Sequence, residues 1–261
     1  MTQHLRLINS VIAFALAALA SITLHELAHA IAGLMLGGHP VMFGFSVDQG
    51  PISDAVQIVT ALAGPVFSLV SGLVVLAVPA NSLPTFWRLA WLWFGLLSVQ
   101  EFAGYLITGP FVSAGDIGLV LAAADAPLVV AIGGFVVGWV ITYFLGWLAT
   151  RRLATFTTDG PELAPQLREL GLFAWLIGSL LAVVLSLGLL GAGDVDVPIL
   201  VFEAAGVISS GIFLIFVRLF LAAASDAPHL GPVLRVPIAG AVVLFLVAVV
   251  RQVVLSRGVA L

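Results

Sequence analysis

The chain contains no cysteine and no lysine. Without cysteine there are neither disulfides nor thiolate ligands, so any metal must be held by histidine and carboxylate. Charge of either sign is scarce. Only 8% of the 261 residues are charged, where a soluble domain carries roughly a quarter. The nine basic residues are all arginine, they form no basic stripe, and the net charge is -4. That excludes the electrostatic footprint of a nucleic-acid-binding protein.

What is abundant is apolar. Hydrophobic residues make up 62% of the chain and the mean hydropathy is +1.23. Such a composition places the chain among polytopic membrane proteins. Runs long enough to cross a bilayer fall at about 5–36, 56–79, 85–108, 127–150, 171–192, 198–223 and 233–256. The expected fold class is an all-α polytopic membrane protein of about seven transmembrane helices, or six, with a small β-hairpin after the first helix. Arg6 and the Ala18-Leu19-Ala20 triplet resemble a signal-peptidase site. The apolar pattern continues to about Leu36, too long for a signal sequence, so the segment is expected to remain as a membrane helix.

Gly37-Gly38-His39-Pro40 supplies a helix stop. The following stretch alternates, with Val41, Phe43, Phe45 and Val47 on one side and Met42, Gly44, Ser46 and Asp48 on the other. That period of two, followed by the turn residues Gln49-Gly50-Pro51, reads as a hairpin. Residues 151–170 gather three Arg, three acids and three Thr. They read as a polar linker whose end, PELAPQLREL, lies along the membrane surface. The expected organisation is therefore a core over 1–150, the linker 151–170 and a three-helix region over 171–261. Arg6, Arg88, Arg151, Arg152, Arg168 and Arg235 fall at the N-terminus or on even-numbered loops. The positive-inside rule then puts the N-terminus in the cytoplasm, with Arg251 and Arg257 against it.

Residues 21–33 read SITLHELAHAIAG and place His25, Glu26 and His29 inside an apolar run. Positions i and i+4 share one helix face. Two imidazoles so placed can ligate one Zn²⁺, and the glutamate beside the first can take a proton from water at the metal. Five His and five Glu in this length produce the pattern by chance in roughly two chains per thousand. The bland alternative is a polar cluster hydrogen-bonded between helices, but ionisable groups inside a membrane are functional by default. A catalytic zinc wants a third protein ligand. His39 lies beyond the Gly-Gly break, and His229, between Pro228 and Gly231, reads as a loop residue. The remaining candidates are the acids Asp48, Asp54, Glu101 and Asp116. Asp116 also suits a helix start, in the sequence Ala114-Gly115-Asp116 before IGLVLAAA. Glu101 shares a face with Tyr105 and Leu97. It can hydrogen-bond within the bundle or support a ligating histidine. Glu203 and Arg218 lie near opposite ends of the sixth run, where long side chains snorkel to the interfaces.

LHELAHAI, then AGPVFS at 63–68, then GPFVSAGDIG at 109–118, resembles the site-2 protease family of intramembrane zinc metalloproteases. The likeness covers about residues 15–120. It implies His25, His29 and Asp116 as zinc ligands, Glu26 as the base, and Gly64-Pro65 as the family's Gly-Pro in its second helix. It further implies an active site near the cytosolic face, on the opposite side from the charge distribution, and orientation stays open. The family's third element reads Asn-x-x-Pro-x-x-x-x-Asp-Gly. Here Pro110 and Asp116 are six apart rather than five, Ile107 stands for the Asn, and Ile117 follows Asp116. Ser68 stands where the family often has Asn. The function so implied is peptide-bond hydrolysis within or near the membrane segment of a substrate protein. That substrate would be held in extended form by strand addition along 41–48. Ser46, Asp48, Gln49, Ser53 and Asp54 would line the way in for water. The expected location is a multi-pass place in the bilayer, in the cell membrane of a prokaryote. Two alternatives are a degenerate relative that binds without cleaving, motivated by the altered spacing, and a transporter using Glu101, Glu203 and Asp116.

Overall fold

A computed structural model describes residues 2–158, 162–187, 204–225, 231 and 235–261. The chain is an all-α polytopic membrane protein. Its elements are α1 (Thr2–Met35), β1 (Val41–Met42), β2 (Val47–Asp48), α2 (Asp54–Ala77), α3 (Thr85–Thr108), α4 (Asp116–Ala123) and α5 (Leu128–Ala154). Then come α6 (Leu163–Arg168), a π-helical turn (Glu169–Phe173), α7 (Ala174–Leu187) and α8 (residues 204–209). A 3₁₀ segment (Ile212–Phe220), α9 (Leu221–Ser225), α10 (Ile238–Val253) and β3 (Val259–Ala260) complete the chain.

Among the described residues six helical segments are long and apolar enough to cross a membrane: His4–Met35, Asp54–Ala77, Leu128–Ala154, Leu163–Ser186, Ala204–Ala224 and Ile238–Arg257. The third expected span, α3, is not one of them, although its 24 residues rise about 36 Å. It carries Arg88, Gln100 and Glu101. The reason lies in its surroundings. Leu89, Leu92, Gly95 and Ser98 are buried on several sides of the helix, which packs against α1, α2 and α5. A helix enclosed by protein need not be apolar all round.

Lipid tails are as apolar as leucine, so these helices associate through close packing and interhelical hydrogen bonds. A Cβ on Gly72 of α2 would lie 2.9 Å from the carbonyl oxygen of Gly95 in α3, so only glycine allows that approach. Phe14 of α1 packs edge-on against Trp93, and Trp93 Nε1 donates to Ser10 Oγ at 3.0 Å. One continuous core joins Phe14, Leu96, Leu153, Leu170, Phe213 and Leu244, so the C-terminal helices pack on the same core as α1, α3 and α5.

Residues 151–170 depart from the expected surface linker. α5 runs on through Arg151 and Arg152, and the chain is helical again from Leu163. Gln166, Leu167, Glu169 and Leu170 are buried. Arg6 Nη2 pairs with Glu169 Oε2 at 3.1 Å, and Ser10 Oγ donates to the Leu170 carbonyl at 2.6 Å. Of the polar residues that suggested solvent, Glu169 is spent on α1, while Arg151 and Arg152 stay exposed.

The hairpin forms with Val41 opposite Asp48 and Met42 opposite Val47. A third strand comes from the C-terminus: β3 pairs with the other side of β1, in the order β2-β1-β3. Both sides of β1 are thus occupied, and within 41–48 only β2 keeps an open edge. Met42 and Leu255 pack on Ala30 of α1, one residue beyond His29.

Candidate metal centre

His25 and His29 lie on the face of α1 that meets α2, where both rings are buried, His25 at 1% exposure. Gly64 of α2 makes this possible. A Cβ there would fall 2.3 Å from His29 Nε2 and 2.6 Å from His25 Nε2, in the space the two nitrogens face. Asp116 arrives from the start of α4. After α3, hydrogen bonds from Phe111 and Val112 to the Thr108 carbonyl and from Gly115 to the Val112 carbonyl fold the connection into tight turns. The helix starts at Asp116 as the sequence suggests, with the N-cap one residue earlier than expected. Gly115 is the capping position and Asp116 the first helical residue, with its carboxylate directed at the histidines.

Three donor atoms converge. His25 Nε2 and His29 Nε2 are 3.0 Å apart, and Asp116 Oδ2 is 3.0 Å from the first and 3.2 Å from the second. Ligands placed tetrahedrally about 2.05 Å from a zinc ion sit about 3.3 Å from one another. The triangle therefore has close to the size a tetrahedral ion requires.

The outer nitrogens define what these atoms carry. His29 Nδ1 lies 2.6 Å from the Thr60 carbonyl, which can only accept, so Nδ1 holds the hydrogen. His25 Nδ1 is 3.1 Å from Ser68 Oγ, whose own hydrogen goes to Glu101 Oε2 at 2.9 Å. The Ser68 oxygen therefore accepts from His25. With both Nδ1 atoms donating, neutral imidazoles present lone pairs at Nε2. Two such lone pairs and a carboxylate oxygen facing one point repel each other unless a metal ion or a shared proton lies between them. The residues fit zinc: two imidazoles, one carboxylate and a coordination position left for water or substrate.

Glu101 is not a ligand here. It accepts from Ser21 at 2.8 Å and from Ser68, and its Oε1 stands 3.6 Å from His25 Nδ1. The reading as a hydrogen-bonded group of the bundle holds, through Ser21 of α1 and Ser68 of α2, and the same Ser68 carries Glu101 to His25. Tyr105, one turn on, stacks flat on His25 with ring centroids 5.2 Å apart. Glu26 is 7% exposed, makes no hydrogen bond among the described residues, and lines a cavity of about 390 Å³ between α1, α3 and residues 205–210.

The other sequence candidates lie elsewhere. His39 and Asp54 are exposed, and exposed Asp48 accepts from the Gly50 amide. Of the five polar residues expected to line a water path, Ser46 and Ser53 are exposed, while Gln49 donates to the His29 carbonyl at 3.1 Å. His229 and Glu203 lie outside the described residues. Sequence reasoning missed Thr60. Thr60 acts through its backbone carbonyl, for which no residue type is a signal. In comparisons with known proteins, no family model, no curated protein and no solved structure matched the chain.

Proposed function

We propose that this multi-pass membrane protein is a zinc metalloendopeptidase that hydrolyses peptide bonds in or next to a membrane segment of another protein, in the cell membrane of a prokaryote. The observation that carries the reading is the convergence of His25 Nε2, His29 Nε2 and Asp116 Oδ2 beside the unpaired carboxylate of Glu26. The resemblance of 15–120 to the site-2 proteases points the same way.

His25, His29 and Asp116 would hold the ion. When bound, zinc supplies a Lewis acid that acidifies water and polarises a carbonyl. Thr60 and the Ser68–Glu101 pair hold the two rings in the tautomer that offers Nε2. Glu26 takes the proton of the attacking water as its oxygen adds to the substrate carbonyl carbon. It returns that proton to the nitrogen as the C–N bond breaks. A helical substrate hides its carbonyls, so the cleaved stretch must first unwind. The open edge of β2, Val47–Asp48, offers backbone groups to an extended chain.

The test is zinc stoichiometry on detergent-purified protein, with His29→Ala and Asp116→Ala alongside. Near one zinc in wild type and little in either variant supports the three-ligand centre. Carefully prepared wild type that binds none would sink the reading. Zinc retained in Asp116→Ala would move the third ligand elsewhere.

A further inference from the structure

Gln100, in the middle of α3, is 3% exposed, and its Oε1 is buried without a hydrogen bond. The polar neighbours on the same helix are satisfied. Ser98 bonds Ser21, and Glu101 accepts from Ser21 and Ser68. A buried amide oxygen left without a partner is costly. A polar residue kept so in a membrane bundle is a pointer to a ligand.

The place Gln100 faces narrows what that ligand is. Its side chain lines the same cavity of about 390 Å³ as Glu26, together with Phe45, Tyr105 and Ser210. Two carboxylates, Glu26 and Glu101, stand on the wall and disfavour an anionic group. A neutral, unwound peptide, the substrate form that the function proposed above requires, fits. Inside the bundle its freed N–H and C=O each need a partner. A carboxamide has the same donor and acceptor as a peptide unit and can answer both.

We propose that Gln100 binds the backbone of the extended substrate, its oxygen accepting from an N–H and its amide nitrogen donating to a C=O next to the bond that is cleaved. Naming the occupant a protease substrate rests on the function proposed above. The peptide-pairing role of Gln100 can be tested apart from it.

The test titrates two probes into detergent-purified protein, metal-free and zinc-loaded, by calorimetry. The probes are acetyl-Leu-Gly-methylamide and the same molecule methylated on the glycine nitrogen. Wild type is expected to bind the plain probe at least tenfold more tightly than Gln100→Leu does, and the N-methylated probe no better than the variant does. Thermal melting guards against a folding explanation. Gln100→Leu removes an unpaired polar group, so its melting temperature should equal or exceed that of wild type. A glutamine with a merely structural role would lower it. Equal affinity in Gln100→Leu, an equal effect of N-methylation on both proteins, or no binding of the plain probe by wild type would each overturn the proposal. Gln100-dependent binding in a protein that takes up no zinc would overturn the protease reading and leave the peptide site standing. Zinc and cleavage without that dependence would do the reverse.

Discussion

Glu101 reaches His25 across a single hydroxyl. Ser68 Oγ stands 3.1 Å from His25 Nδ1 and donates to Glu101 Oε2 at 2.9 Å, so three helices fix one imidazole. Partners of this kind set the tautomer and basicity of a ligating histidine, and removing one costs about 10–100-fold in metal affinity. Ser68→Ala and Glu101→Gln are each expected to weaken zinc by that factor without abolishing it, as read by competition with a chelator of known affinity. Unchanged affinity in both would remove the relay from the account.

Glu26 is expected to separate chemistry from binding. It lines the cavity without a hydrogen bond, so Glu26→Gln has no partner to orphan. The variant should keep its zinc and lose at least about 100-fold in cleavage rate, the lower end of what a positioned general base contributes. Zinc analysis and a cleavage assay on the same preparation decide it. If zinc disappears as well, Glu26 acts on the metal site and not on the proton.

Much of this centre was legible because its determinants are local. His25, Glu26 and His29 depend only on helical periodicity, and the apolar runs depend only on length and composition. What was not legible depends on distant packing. α3 tolerates Gln100 and Glu101 because neighbouring helices enclose it, which composition alone does not reveal. Residues 151–170 looked like a linker because Arg, Glu and Gln normally mark solvent. Here Glu169 meets Arg6, and Gln166 Nε2 donates to Thr158 Oγ1. The third strand pairs residues more than two hundred positions apart, and its two-residue length leaves no periodic signal. Asp116 became a site residue by resemblance; its convergence on the histidines was visible only in three dimensions.

Arg251 ties the hairpin to the bundle. It donates to the carbonyls of Leu19 and Gly44 and to Thr23 Oγ1, and its guanidinium lies over the Phe45 ring, 4.6 Å from the centroid. Buried at 4% exposure, it belongs to the interior and carries little weight as an orienting charge. Arg251→Met leaves the Gly44 carbonyl without its donor, a loss of about 1–3 kcal/mol for each acceptor orphaned. The variant should melt at a lower temperature and be cut faster within 41–48 by an added soluble protease. If neither changes, the arginine does not anchor the hairpin.

Gly64→Ala tests whether the space between the histidines is reserved for an ion. The added methyl would fall within 2.6 Å of both Nε2 atoms, so the rings must turn away from Asp116. Overpacking of this kind costs about 1–3 kcal/mol wherever it occurs, so a lower melting temperature alone proves little. Gly72→Ala supplies the control, because its methyl would press on Gly95 and Val99, contacts of the α2–α3 interface. A ligand present at a hundred times its dissociation constant stabilises by about 2.7 kcal/mol. Wild type and Gly72→Ala should therefore both melt at a higher temperature with zinc than with a chelator. Gly64→Ala should melt at the same temperature in either. A zinc shift retained in Gly64→Ala would mean that the two imidazoles do not share an ion at this place, and the triangle with Asp116 would be a hydrogen-bonded cluster.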